Sequence, residues 1–293
     1  MAPIPSLQPV AEANRLSKLL NLSRGTERFP VDVEELAKEY AQQFGHPDPI
    51  THIVGEDLPG FEGALYRIGN DERREWALIY NSSIPIPGRI RFTIAHELGH
   101  YILHRQTAEL FQCSQNDMLQ WDSPERLLES EADAFASTLL MPADDYRAQI
   151  HNEIINLEVL DYCANRYGVS FTAAVLKWIE LTPQRAVLVV SRDGFIQWAR
   201  SSESAKKSGA YFKTRDRVVE LPVGSLAART DLVSPERHGI NLSACVWFPS
   251  EPQSMQLREM KLVSDRFSQT FSLLIMPDAE APRWRSDDAE IDA

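Results

Sequence analysis

The side chains most suited to chemistry lie at residues 96–100, which read His-Glu-Leu-Gly-His. Two histidines four residues apart lie on one face of a helix, about 6 Å apart along its axis, so both imidazoles can bind one cation. Glu97 is then held beside the ion, where a carboxylate can take a proton from water and pass it to a leaving amine. The spacing of His96, Glu97 and His100 is therefore typical of a one-metal peptidase site.

Such a site needs a third protein ligand, because a catalytic zinc ion typically has three of them and a water molecule. The acidic stretch 129–133, Glu-Ser-Glu-Ala-Asp, offers candidates. We assign Glu129 as the ligand and Asp133, four residues further on the same helical face, as the acceptor that orients a ligand histidine. Glu131 is rotated by about 200° from Glu129 and is expected to face solvent. It stays the alternative ligand.

Other residues near the motif are expected to support the site rather than bind the ion. His104 lies about 12 Å along the helix from His96, too far to share its cation, so it should pack or support a ligand. Gly99 costs up to about 1 kcal/mol in a helix relative to Ala, which suggests that another backbone approaches it closely. An oxyanion stabiliser opposite Glu97 should also exist. The candidates are Tyr66, Tyr80 and Tyr101.

Apolar spacing around the motif predicts the elements that position it. Ile94, Leu98 and Ile102 recur at helical spacing, and Pro87 suits the first turn of that helix. A second helix, 124–141, carries the acidic stretch and ends before Pro142. Further predictions are helices near 12–22 and from Asp32, a hairpin of strands 63–68 and 76–81, and a loop over 112–123. Strand 76–81 could be a sheet edge along which a peptide binds.

The second half of the chain changes from helices to strands. Residues 143–181 are helical in pattern, and 163–178 have the rhythm of a helix-turn-helix. Over 143–181, however, acidic side chains outnumber basic ones, which disfavours DNA binding. We therefore interpret this pair of helices as structural. Alternating patterns predict strands over 185–191, 195–201, 217–222, 244–248, 255–263 and 271–276.

Composition limits the classes of protein that this chain can represent. With 293 residues, 43% of them hydrophobic, it can bury the cores of two domains. A net charge of −12 opposes nonspecific binding to nucleic acid or anionic membranes. The three cysteines have no CxxC spacing, and there is neither a signal-like start nor a run of eighteen apolar residues. These features predict a soluble, cytoplasmic protein with reduced thiols.

Several motifs together resemble the ImmA/IrrE family of bacterial zinc metallopeptidases. They are Pro30-Val-Asp-Val-Glu-Glu-Leu-Ala, Leu58-Pro-Gly, Gly63-Ala-Leu-Tyr, Asn81-Ser-Ser-Ile-Pro, Arg91-Phe-Thr-Ile-Ala-His-Glu-Leu-Gly-His and the stretch from Glu129 to Pro142. The resemblance covers roughly residues 25–142. It implies a gluzincin-like peptidase that cleaves a helix-turn-helix repressor, with metal ligands at His96, His100 and the Glu129 cluster and the catalytic carboxylate at Glu97.

The resemblance and the residue patterns together give one set of expectations. The fold class is α+β: a zincin-like metallopeptidase domain (1–142), a helical linker (143–182), a C-terminal β-rich sensor-like or regulatory domain (183–276) and a disordered acidic tail (277–293). The function is zinc-dependent endopeptidase, with manganese as an alternative metal. It would cleave an Xre-type helix-turn-helix repressor in a stress or mobile-element response. The alternatives are a catalytically silent, metal-containing sensor and a DNA-binding regulator.

Overall fold

The computed structural model describes residues 7–70, 73–114, 124–215, 217–229, 236–264 and 268–278. It divides into two compact units, Met1–Gln149 with Cys163–Ser170, and Ile150–Tyr162 with Phe171–Ala293. Helices and two sheets make up the described residues, which confirms the expected α+β class. Residues 115–123 of the loop predicted over 112–123, and residues 279–293 of the tail predicted over 277–293, lie outside the described residues.

The first unit combines helices with a four-stranded sheet. Its elements are helices α1 (Pro9–Arg24), α2 (Val33–Phe44), α3 (Pro87–His104), α4 (Pro124–Leu140) and α5 (Ala143–Ile150), and strands β1 (Ile50–Glu56), β2 (Phe61–Gly69), β3 (Arg74–Asn81) and β4 (Leu110–Ser114). A short 3₁₀ helix, Gly25–Arg28, follows α1. The next helix in the chain, α6 (Leu157–Tyr167), is divided between the two units.

The sheet of the first unit has the order β1-β3-β2-β4. The predicted hairpin is present, since β2 and β3 pair antiparallel with Leu65 opposite Leu78. Strand β1 pairs with β3 in parallel, and β4 pairs with β2 antiparallel. The expectation that residues 76–81 form a sheet edge is therefore wrong: β3 is paired on both sides, and β1 and β4 are the edges among the described strands.

Local sequence explains where the helices of this unit begin and how they are buried. The Asp32 side chain accepts a hydrogen bond from the backbone N–H of Glu35 at 3.0 Å, which caps α2 as predicted. Pro87 occupies the first turn of α3. From Thr93 to Ile102 every side chain of α3 is buried, because the helix packs against β2 and β3 on one side and α4 on another. The histidine motif is consequently part of the core.

The second unit is built on an antiparallel six-stranded sheet of order β7-β6-β5-β10-β9-β8. Its strands are β5 (Arg185–Arg192), β6 (Phe195–Ser201), β7 (Val219–Glu220), β8 (Glu236–Ser243), β9 (Gln256–Ser264) and β10 (Gln269–Met276), and its helices include α7 (Phe171–Leu181) and α8 (Glu203–Lys207). The C-terminal strands thus form a sheet, as the alternating patterns predict. One face carries an apolar cluster that includes Val187, Trp247 and Leu274.

One predicted strand of this unit is wrong. Residues 244–248 begin with a 3₁₀ helix, Ala244–Val246, and the strand lies earlier, in β8. The turn directs Trp247 and Phe248 into the apolar cluster. Apolar runs this short do not distinguish a strand from a buried turn. Within the described residues, the structure contains no helix long and apolar enough to cross a membrane.

Candidate metal centre

Helix α3 places both motif histidines inside the first unit. His96 and His100 are 2% and 1% exposed, and their Nε2 atoms lie 3.0 Å apart. This proximity follows from their i and i+4 positions. Phe111 on β4 stacks on the ring of His100 with 4.7 Å between ring centroids. The sequence did not reveal this contact, because no strand was predicted at Phe111 and residues 112–114 of β4 were predicted as the start of a loop.

Helix α4 brings Glu129 to the same point. One of its carboxylate oxygens lies 3.1 Å from Nε2 of His96 and the other 3.2 Å from Nε2 of His100. These three residues form the cluster whose ligand atoms all lie within 4.8 Å of one another. Glu129, rather than Glu131, is the acidic side chain that the fold brings to the two histidines, as the helical periodicity predicts. The three metal-ligand roles themselves stay predictions.

The three ligand atoms fit a small divalent cation. Zinc holds nitrogen and oxygen ligands at about 2.0–2.1 Å, so tetrahedral ligand atoms lie about 3.3 Å apart, close to the 3.0–3.2 Å found here. Burial lowers the pKa of His100, which keeps its imidazole neutral. Burial alone would raise the pKa of Glu129, but its contacts with His100 and His96 outweigh burial and lower that pKa to about 2. A neutral imidazole at His100 and an ionised carboxylate at Glu129 are the forms that bind a metal.

Asp133 lies where it can orient His96. Its Oδ1 atom is 2.9 Å from Nδ1 of His96, on the side of the ring away from Glu129. A carboxylate there accepts the Nδ1 proton and leaves the Nε2 lone pair directed at the cluster. The structure thus brings Asp133 to the position that its spacing from Glu129 suggests.

Glu97 has an environment unlike that of the other acidic residues. Its side chain is completely buried, and neither carboxylate oxygen has a hydrogen-bond partner. Burial raises the pKa of Glu97 to about 8, and the neighbouring His96 only partly offsets this rise. Buried polar atoms without partners are rare in proteins and often mark functional groups. These features make Glu97 a candidate for proton transfer, a role that stays a prediction.

A glycine on the neighbouring strand makes room for this carboxylate. A Cβ atom at Gly63 would lie 2.5 Å from Cγ2 of Thr93 and 2.9 Å from Oε1 of Glu97. Both distances are far below van der Waals contact. Gly63 therefore sets how closely β2 approaches the Glu97 side chain, a role that its sequence position did not reveal.

Two further residues extend the cluster away from the ligand atoms. His104 is 4% exposed, with its Nδ1 atom 3.1 Å from Nδ1 of His100. Glu131 was expected to face solvent, but its carboxylate forms a hydrogen bond with Nε2 of His104 at 2.8 Å. This contact is possible because α4 packs against α3 along this side. Ala132 of α4 also explains Gly99, where an added Cβ would lie 3.3 Å from the Ala132 Cα atom. The predicted close approach of another backbone is confirmed.

The tyrosines proposed as oxyanion stabilisers lie elsewhere. Tyr101 donates to the backbone oxygen of Asp48 at 2.8 Å, and the Tyr80 hydroxyl lies 3.5 Å from Glu34. Tyr66 is three residues after Gly63 on β2, so strand alternation directs it to the opposite face of the sheet. The expectation that one of these three faces Glu97 is not met.

Comparison with known proteins agrees with this site. Residues 49–178 match the model of the IrrE N-terminal-like domain, a peptidase family, and this segment contains α3 and α4. The expected family resemblance, which the motifs placed at roughly 25–142, is therefore confirmed from residue 49 to 142, and the match continues to residue 178. A solved structure of a Mycobacterium tuberculosis transcriptional regulator is also similar, with a TM-score of 0.52 and 16% identity over 90% of this chain and 76% of that chain. At this identity the likeness shows the fold alone. No curated protein matches the chain.

Proposed function

We propose that this protein is a zinc-dependent endopeptidase that cleaves another protein. The observation that carries the proposal is the juxtaposition of a three-ligand cluster with a buried, unpartnered carboxylate on the same helix. A structural metal site would not require a buried carboxylate that is free of partners. Structural zinc is also normally enclosed by four protein ligands. Here three ligands leave a position for water and substrate.

Each residue has a separate role in the proposed reaction. His96, His100 and Glu129 would hold the ion, and Asp133 would keep the His96 ring in place. A bound zinc ion supplies Lewis-acid polarisation of the scissile carbonyl and lowers the pKa of water. The positive charge of the ion would favour the ionised form of Glu97, which burial disfavours. Glu97 would then accept the proton of the attacking water and deliver it to the leaving amine, as a general base and then an acid. Manganese is the alternative metal.

The proposed substrate is a helix-turn-helix repressor of the Xre type, cleaved in the cytoplasm during a stress or mobile-element response. Support comes from the resemblance of residues 49–178 to the IrrE N-terminal-like domain. The transcriptional regulator whose structure is similar is compatible with a role in gene control. We assign residues 143–182 to a helical linker and 183–276 to a regulatory domain in this scheme.

The proposal is tested by incubating the purified chain and zinc with the helix-turn-helix protein encoded beside it. Wild type should cleave that protein, and chelation should stop cleavage until zinc or manganese is restored. Glu97→Gln should retain the metal but lose about 10²–10⁴-fold in rate, because the general base is gone. Glu109→Gln, at a side chain 72% exposed, is the matched control and should cleave normally.

Two results would contradict the proposal in different ways. If Glu97→Gln cleaves at the wild-type rate, Glu97 is not the general base and the peptidase mechanism fails. If His100→Ala retains the full metal content, the assignment of the ligands fails. Binding of metal without any Glu97-dependent cleavage would favour the alternative of a metal-containing sensor.

A further inference from the structure

A chain of hydrogen-bonding side chains runs from His100 away from the ligand cluster to the surface of α4. Nδ1 of His100 is 3.1 Å from Nδ1 of His104, and Nε2 of His104 is 2.8 Å from Oε2 of Glu131. The two imidazoles are buried, whereas the Glu131 side chain is 34% exposed. The series therefore connects a buried ligand histidine to a carboxylate at the protein surface.

The chemistry of the three groups fixes the direction of the hydrogen bonds. A carboxylate oxygen only accepts, so Nε2 of His104 carries a hydrogen and donates to Glu131. In a neutral imidazole the other nitrogen is then an acceptor, so Nδ1 of His104 receives a hydrogen from Nδ1 of His100. That assignment leaves the lone pair of His100 on Nε2. This is the atom that faces Glu129 and His96.

We propose that His104 and Glu131 are positioning residues that hold His100 in the tautomer and ring orientation needed to bind the metal. The inference rests on the proposed metal site. It gives each ligand histidine its own acceptor, Asp133 for His96 and His104 for His100. Glu131 contacts His104 and is not part of the ligand cluster, so it acts on His100 through His104.

The helical arrangement explains why His104 supports the ion without binding it. His104 is four residues after His100 and eight after His96, so it stacks behind the second ligand rather than beside the first. Its ring centroid lies 5.2 Å from that of His100. A purely packing role would need only the volume of the ring, whereas the proposed role needs an acceptor at the position of Nδ1.

Two isosteric substitutions separate these roles. Asn and Leu have nearly the same size, but the amide oxygen of Asn can accept a hydrogen bond close to the position of Nδ1 in histidine. We expect His104→Leu to weaken zinc binding about 10–100-fold, the usual cost of losing a group that supports a ligand. His104→Asn should retain most of the affinity. Glu131→Ala should bind zinc more weakly than Glu131→Gln, which keeps an acceptor oxygen.

The readout is zinc affinity, measured by competition with a chromogenic chelator on the full chain, with circular dichroism to verify folding. If His104→Leu binds zinc at least tenfold more weakly than His104→Asn, the result supports the proposal. If the zinc affinities of the two variants lie within threefold of each other, the proposal is overturned, since polarity at residue 104 then has no effect on zinc binding. This comparison needs no substrate.

A second measurement tests the inference without zinc and without any variant. In metal-free, ¹⁵N-histidine-labelled wild type, long-range proton–nitrogen correlations identify the tautomer of each ring. His100 protonated at Nδ1 supports the inference, and His100 protonated at Nε2 overturns it. If wild type binds no zinc, the proposed function fails, but this spectrum still decides whether His104 and Glu131 orient His100.

Discussion

Replacing Gly63 with Ala should impair cleavage without affecting the metal ligands. The added Cβ would lie 2.5 Å from Cγ2 of Thr93 and 2.9 Å from Oε1 of Glu97. Atoms in contact prefer about 3.5–4.0 Å, so Thr93 must retreat by about 1 Å and the Glu97 carboxylate by roughly half that. The φ angle of Gly63 is not in the left-handed region. The effect therefore comes from these contacts and not from backbone strain.

The size of the effect follows from that displacement. A shift of about 1 Å in a catalytic group can cost about 10²-fold in rate, so a shift of roughly half that at Glu97 should cost about tenfold, or about 1.4 kcal/mol of transition-state stabilisation. Overpacking should also lower the free energy of unfolding by about 1–3 kcal/mol. Zinc affinity should stay near that of wild type, since Glu97 is not among the ligand atoms of the cluster.

The assay measures kcat/KM on the substrate that wild type cleaves, together with zinc affinity and urea unfolding. Gly55→Ala is the matched control, because its Cβ would lie 2.9 Å from the Tyr80 ring in the same sheet without a contact to Glu97. It should lose stability but not activity. Adding Thr93→Ser, which removes the closest methyl group, should restore part of the activity of Gly63→Ala. A Gly63→Ala protein that cleaves at the wild-type rate would refute the reasoning.

Two further predictions concern the stability of the first unit. Burial would raise the pKa of Asp145, but hydrogen bonds from Arg166 and Tyr167 outweigh it and lower that pKa. Asp145→Asn should therefore cost about 3 kcal/mol near pH 7. In urea melts the difference from wild type should begin to decrease as the pH falls through the ordinary Asp value and should be lost below the lowered pKa of the folded protein; an unchanged difference at low pH would contradict this. Gly99→Val should lower the melting temperature more than Gly99→Ala does. An added Cβ already lies 3.0 Å from the Phe135 ring, so the larger side chain must displace that ring. Equal melting temperatures would argue against close packing of α3 and α4.

The parts of the site that the sequence predicts are those governed by one helix at a time. The i, i+4 relation of His96 and His100 and that of Glu129 and Asp133 depend only on the helical repeat. Each pair therefore shares a face in the structure as predicted. The choice of Glu129 over Glu131 follows from the same repeat, and the distances to the histidines agree with it.

The parts that the sequence did not predict depend on contacts between distant segments. Strand β1 has mostly exposed or half-exposed side chains, and it becomes a strand by pairing in parallel with β3. This pairing turns the predicted sheet edge into an interior strand. The contact between Glu131 and His104 likewise needs the relative placement of α3 and α4. Periodicity within one element contains no information on such placements.

Hydrogen bonding divides the residues of the metal centre into two groups. The Nδ1 atoms of His96 and His100 both have bonded partners, so those rings are fixed on the side away from the cluster. Glu97 has no partner for either oxygen, although it is on the same helix and equally buried. An unpartnered buried carboxyl group opposes folding, so packing alone gives no reason for its presence. A fold that orients the ligand rings and leaves the one carboxyl group free to move a proton is what hydrolysis at this centre requires.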